Sequence, residues 1–88
     1  MLEIERTKQF KKDFKLAKKR GKRLERIVAV VDALANEQTL HPRHRPHKLT
    51  GELAGYWECH VEPDYLLMYE YVGDRLVLVR LGTHSDLF

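Results

Sequence analysis

Apolar and polar positions change period along this chain, and each change marks an element. LEIER (2–6) alternates Leu2 and Ile4 with charges, which predicts a short strand. Thr7 then offers an N-cap. In KQFKKDFKLAKKR, Phe10, Phe14 and Ala17 recur at i, i+4 and i+7, one stripe of an amphipathic helix. Gly21 supplies a stop. Leu24, Ile27, Val28, Val31, Leu34 and Ala35 form a second helical stripe, and the short join predicts an antiparallel helical hairpin. From Asn36 to Ala54 the period lapses, and Pro42, Pro46 and Gly51 mark a loop. GYWECHV (55–61) resumes alternation, with Tyr56, Glu58 and His60 on one face and Trp57, Cys59 and Val61 on the other. YLLMYEYV (65–72), the Gly73-Asp74 turn and RLVLVRL (75–81) complete a three-stranded meander. The order predicts one α+β domain over residues 1–88. An N-terminal strand and the meander make a small, mainly antiparallel sheet, with the helical hairpin packed on one face.

Composition changes this picture in one respect. With 43% hydrophobic and 33% charged residues, the 88-residue chain has room for one core and is not disordered. No apolar run matches a membrane span, and no apolar segment follows the basic start as in a signal peptide. The lone Cys59 allows no internal disulfide and fits a reducing cytoplasm, where we place the protein. The net charge of +3 hides an asymmetry. Residues 1–26 hold eleven Lys and Arg against four acids, and residues 27–88 hold five against nine. Such a basic arm is either a footprint for nucleic acid, a membrane surface or an acidic protein, or simply a solvated lysine-rich helix face.

Histidines carry the candidate chemistry. His41, His44 and His47 stand three apart, a spacing that would align metal ligands on a helix. Pro42 and Pro46 break a helix there, and neither a second cysteine nor an HExxH pattern is present, so no metal is expected. His41 and His44 are then loop residues in a positive patch with Arg43 and Arg45. His60 stands four residues before Asp64 with Pro63 between. A bend there would let the carboxylate hold the imidazole, either as a structural contact or within a site. His84, taken alone, is a surface residue, and Arg80 alone is a surface ion pair. Together, His47, His60, Asp64, His84 and Arg80 are what a metal-free ribonuclease requires. One group takes the proton of a ribose 2′-OH, another protonates the leaving 5′-oxygen, and a cation stabilises the phosphorane.

PHKLTGELAGYWECHVEPDYLLMYEY followed by LVRLGTHSDLF resembles the YafQ-like branch of the RelE/ParE superfamily of bacterial toxins. The element order agrees over the whole chain, and the specific blocks HKLTG, GYWECHVEPDY and GTHSDLF occur in the right order and spacing. The resemblance implies a RelE-like fold and the toxin half of a type II toxin–antitoxin pair. It implies a cofactor-free, ribosome-dependent mRNA endoribonuclease that cuts the A-site codon by 2′-OH attack and so inhibits translation. His47, His60, Asp64 and His84 would be catalytic, with His84 as general acid and His47 or the His60–Asp64 pair as base. Arg80 would stabilise the transition state, and Phe88 would stack on a base. Tyr65 stands where the family carries an aromatic, with a stacking role and a core role equally open. Lys8, Lys11, Lys12, Lys15, Arg43 and Arg45 would contact RNA phosphates. The implied partners are a cognate antitoxin of ribbon-helix-helix type, the 70S ribosome and mRNA, with operator DNA a candidate ligand of the toxin–antitoxin complex. Two other readings compete: a ParE-type toxin directed at gyrase, which should lack the histidine–aspartate cluster, and a nucleic-acid-binding module without chemistry.

Overall fold

The computed structural model describes residues 1–88. Strand β1 (Glu3–Arg6) leads into α1 (Lys8–Lys19) and α2 (Leu24–Ala35), and β2 (His47–Lys48) precedes the meander β3 (Trp57–Glu62), β4 (Tyr65–Val72) and β5 (Arg75–Gly82). A one-turn helix, α3 (His84–Leu87), ends the chain. The sheet has five strands in the order β1-β5-β4-β3-β2, antiparallel except for the β1–β5 pair.

Local chemistry sets the helix ends. The Thr7 hydroxyl accepts the Phe10 N–H and donates to the Val79 carbonyl, so one side chain caps α1 and ties it to β5. Gly21, at φ +72°, closes α1: its N–H donates to Lys18 and the next N–H, of Lys22, donates to Ala17. Phe10, Ala17, Ile27, Val30, Val31 and Leu34 then pack on Cys59, Leu67, Tyr69, Leu76, Leu78 and Leu81. Each fully buried leucine of this layer contributes roughly 1.5–3 kcal/mol of burial free energy. Burial also pushes the Cys59 thiol up to about 12, so it is an inert core filler.

Three expectations need correction. The segment 36–54 is not a plain loop: it holds 3-10 turns at Pro42–His44 and Gly51–Leu53, and β2 adds a fifth strand. A two-residue strand is too short to show a period. The helix at His84–Leu87 is equally short, although its capping box, Thr83 with Asp86, is visible in the sequence. Val28, assigned to the buried stripe of the second helix, is 47% exposed.

One irregularity decides where the chemistry points. Met68 pairs with Arg80 but Tyr69 pairs with Leu78, so Val79 is an extra, bulged residue. Strict alternation from Leu76 and Leu78 would send Arg80 into the core. The bulge turns it onto the opposite face beside Met68.

Candidate active site

The face of the sheet away from the core carries one row of paired residues, His47, Glu58, Met68 and Arg80, on β2, β3, β4 and β5. The next row holds His60, Leu66 and Gly82. The rings of His47 and His60 stand 6.4 Å apart between centroids.

Backbone carbonyls fix both rings. The Nδ1–H of His47 donates to the Arg45 carbonyl at 2.8 Å, and that of His60 donates to Pro63 at 3.0 Å. A carbonyl only accepts, so Nδ1 carries the hydrogen in each ring and Nε2 is the atom left for chemistry. His47 Nε2 lies 3.5 Å from Glu58 Oε1. His60 Nε2 has no protein partner and in the neutral ring keeps its lone pair.

The turn between β3 and β4 anchors a third histidine. Pro63 holds His60, and its neighbour Asp64 accepts the backbone N–H of His84 at 3.1 Å. The expected His60–Asp64 hydrogen bond is therefore replaced by two separate bonds from one turn. Proline offers only a carbonyl, and the exposed aspartate reaches across to the start of α3. His84 itself is exposed and packs on Phe88, 5.4 Å between ring centroids, with Phe88 57% exposed.

Besides the Asp64 bond, an ion pair ties α3 to α1 and a capping box closes its first turn. Arg20 makes a bidentate pair with Asp86, and Asp86 also accepts the Thr83 N–H. The Arg20 guanidinium, then the Thr83 N–H, hold the Asp86 carboxyl well below the usual carboxylate range. Its contribution to folding is thus complete above the ordinary carboxylate pKa, declines as pH falls below it, and is gone once pH has passed through the lowered folded value. Gly82 leaves room for this arrangement, because a Cβ there would come within 2.8 Å of Asp86 Oδ2 and 2.9 Å of its Cβ. Gly82→Ala should displace α3 and cost about 1–3 kcal/mol. The loss should read as a lower urea midpoint, together with the loss of any activity that needs His84. An unchanged midpoint would show that α3 yields freely.

Arg80 is no loose surface cation. Its Nε and Nη2 reach Asp13 of α1 at 2.9 and 3.4 Å, which leaves Nη1 outside the pair. Tyr65 takes the core role, at 1% exposure, so its ring offers no stacking surface, and the Lys22 ammonium lies over it at 4.7 Å. Lys8, Lys11, Lys12, Lys15, Arg43 and Arg45 are all exposed. His41 is an exposed turn cap, as expected of a loop residue. His44 is not free: half-buried, it donates from Nδ1 to the His60 carbonyl at 2.6 Å. The His41–His44–His47 triplet therefore divides among three separate backbone partners, and no group of three or more metal-ligating side chains converges in the fold.

Glu58 is the site residue that the sequence did not single out. It is 3% exposed, and its Oε2 has no hydrogen-bond partner. Its signal was the alternation that placed it on the face of His60. What the sequence lacked was the pairing of β2 that sets His47 opposite it.

A mainly antiparallel five-stranded sheet with both long helices packed on one face, and the row from His47 to Arg80 on the other, defines a RelE-like toxin fold. Residues 2–88 match the family described as bacterial toxin of type II toxin–antitoxin system, YafQ. The chain belongs to that family. It is 38% identical over 87 residues to the mRNA interferase toxin YafQ of Escherichia coli K12, covering 98% of this chain and 95% of that protein. It also superposes on a metal-bound toxin from Helicobacter pylori with a TM-score of 0.94, 47% identity and full coverage of both chains. YafQ in the E. coli DinJ–YafQ complex gives a TM-score of 0.92 at 37% identity, covering 100% of this chain and 99% of that one.

Proposed function

We propose that this toxin is an mRNA endoribonuclease that works on the ribosome, cutting the codon in the A site by attack of the ribose 2′-OH. The observation that carries the reading is the pair of His47 and His60, 6.4 Å between ring centroids, on the sheet face onto which the bulge also turns Arg80, with His84 tied through its backbone N–H to the turn that holds His60. His60, with Nδ1 committed to Pro63, has the free Nε2 that a general base needs for the 2′-OH proton. His84, on the exposed end helix, is the general acid for the 5′-oxygen. Asp64 positions it through the backbone. His47, when protonated, pairs with Glu58 and places positive charge beside the same phosphate. The free edge of Arg80 stabilises the phosphorane, and the exposed Phe88 ring stacks on a base. The relative named an mRNA interferase supports the chemistry.

The lysines of α1 would meet ribosomal RNA phosphates without sequence preference. The DinJ–YafQ complex supports an antitoxin partner. So does an open groove of about 480 Å³ that exposes Phe14 and Val28 between Arg6, Lys11 and Lys15, suited to an acidic amphipathic segment.

End-mapping on translated mRNA tests the reading. We expect cuts within the A-site codon, 2′,3′-cyclic phosphate and 5′-OH ends, and full activity in EDTA. DNA damage with translation intact would instead make this a gyrase poison.

A further inference from the structure

A second cleft lies behind His60, and the proposed reaction does not use it. It opens between α2, the Pro42–His44 turn and the end of β3, and holds about 440 Å³, within the range of roughly 300–1,000 Å³ of small-ligand sites. Ala29, Val30, Ala33, Leu40 and Val61 give it an apolar floor.

Its rim is cationic and uncommitted. Arg26 and Arg43 both line the cleft, and neither takes part in an ion pair. The one acid of the lining, Glu62, is engaged by Lys22 at 3.4 Å. Two imidazoles are held in defined states. His41 Nδ1 accepts the Arg43 N–H at 3.1 Å, so the neutral ring carries its proton on Nε2 as a donor. His44 is fixed through Nδ1 to the His60 carbonyl, which leaves its Nε2 unengaged. An apolar floor, two free guanidinium groups and an oriented N–H suit a ligand with one flat apolar part and one anionic part.

We propose that this cleft is a subsite for a nucleotide of single-stranded RNA, with the base against the apolar floor and a phosphate on Arg26 and Arg43. The inference rests on the ribonuclease reading and deepens it. The cleft and the candidate active site share His60, whose ring stands on the outer face of β3 while Val30 and Val61 of the cleft lie on the helix side, so a strand that reaches both passes around the β3 edge. Its occupant also touches His44, which holds the His60 backbone.

The test uses the full chain and a 2′-O-methyl RNA hexamer, which cannot be cut by 2′-OH attack. Amide NMR shifts should appear at Ala29, Ala33, Leu40 and Val61. The R26S/R43S double variant should bind at least about tenfold more weakly, and the slope of log K against log salt should fall by about 0.7, the share of one single-strand phosphate. Shifts confined to His47, His60 and His84, with affinity and slope unchanged in the double variant, would overturn the subsite and leave the nuclease reading standing. Shifts in the cleft of a protein that cuts no translated mRNA would sink the nuclease reading alone. A peptide of alternating glutamate and leucine that binds the cleft more tightly than the hexamer would make it a protein-docking site and overturn the proposal. On the ribosome, p-benzoylphenylalanine in place of Ala29 should crosslink to RNA. Crosslinks to mRNA or to ribosomal RNA say which strand enters, and crosslinks to protein alone contradict it.

Discussion

His84→Ala is expected to lower mRNA cleavage by on the order of 10² to 10⁴ and to remove toxicity while the protein stays folded. The separation of effects follows from what holds His84. Its backbone N–H is bound by Asp64 and its carbonyl accepts the Phe88 N–H, and alanine keeps both. The imidazole is exposed, makes no side-chain hydrogen bond and packs on the Phe88 ring. Removing an exposed side chain of this kind changes stability by less than about 0.5 kcal/mol. A proton donor to the leaving oxygen, by contrast, has no substitute in water. The measurement is the single-turnover cleavage rate on ribosome-bound mRNA beside the urea midpoint. A folded His84→Ala protein that still halts growth would remove His84 from the mechanism and leave the cluster without its acid.

His84 also shows how far the chain could be read without its fold. The alternation of GYWECHV gave the correct faces, because a strand buried on one side must repeat every second residue. The helical stripes likewise located α1 and α2 to within a residue or two. Arg80 was beyond such reasoning. The pattern of β5 puts position 80 in phase with the core leucines, and only the bulge at Val79 reverses it. Glu58 is hidden for the same kind of reason. Its importance comes from a long-range pairing with β2, and two residues, His47 and Lys48, carry no periodic signal. The four-residue spacing of His60 and Asp64 suggests a hydrogen bond across the bend, but sequence distance says nothing about direction. Their bonds run to Pro63 and to His84 instead of to each other. Residue inventory and strand phase are thus legible locally, whereas the aim of each side chain depends on pairings dozens of residues apart.

Asp13→Ala should be the most destabilising single change near the site, at about 2–4 kcal/mol, because it strands two donors at once. The strand β1 pairs with β5 only as far as Leu78, so the Leu81 N–H finds no strand partner on that side. Helix α1 begins where β1 ends and delivers Asp13 to it. One carboxylate, 5% exposed, accepts the Leu81 N–H at 2.9 Å, the Arg80 fork, and the Gln9 amide at 3.0 Å. Alanine leaves a buried amide without an acceptor and a half-buried guanidinium without its counter-charge. Against a total stability of roughly 5–15 kcal/mol for a domain, such a loss is large. It should shift the urea midpoint without changing the slope. Asp13→Asn tells the two contributions apart: the amide oxygen still accepts the Leu81 N–H, but its charge no longer holds Arg80. Asn should therefore recover part of the stability and remain defective in cleavage even at temperatures where it is fully folded, since the guanidinium is free to leave the phosphate. An Asp13→Asn protein with wild-type cleavage would show that Arg80 needs no anchor, and a wild-type midpoint for Asp13→Ala would show that the Leu81 amide finds water instead.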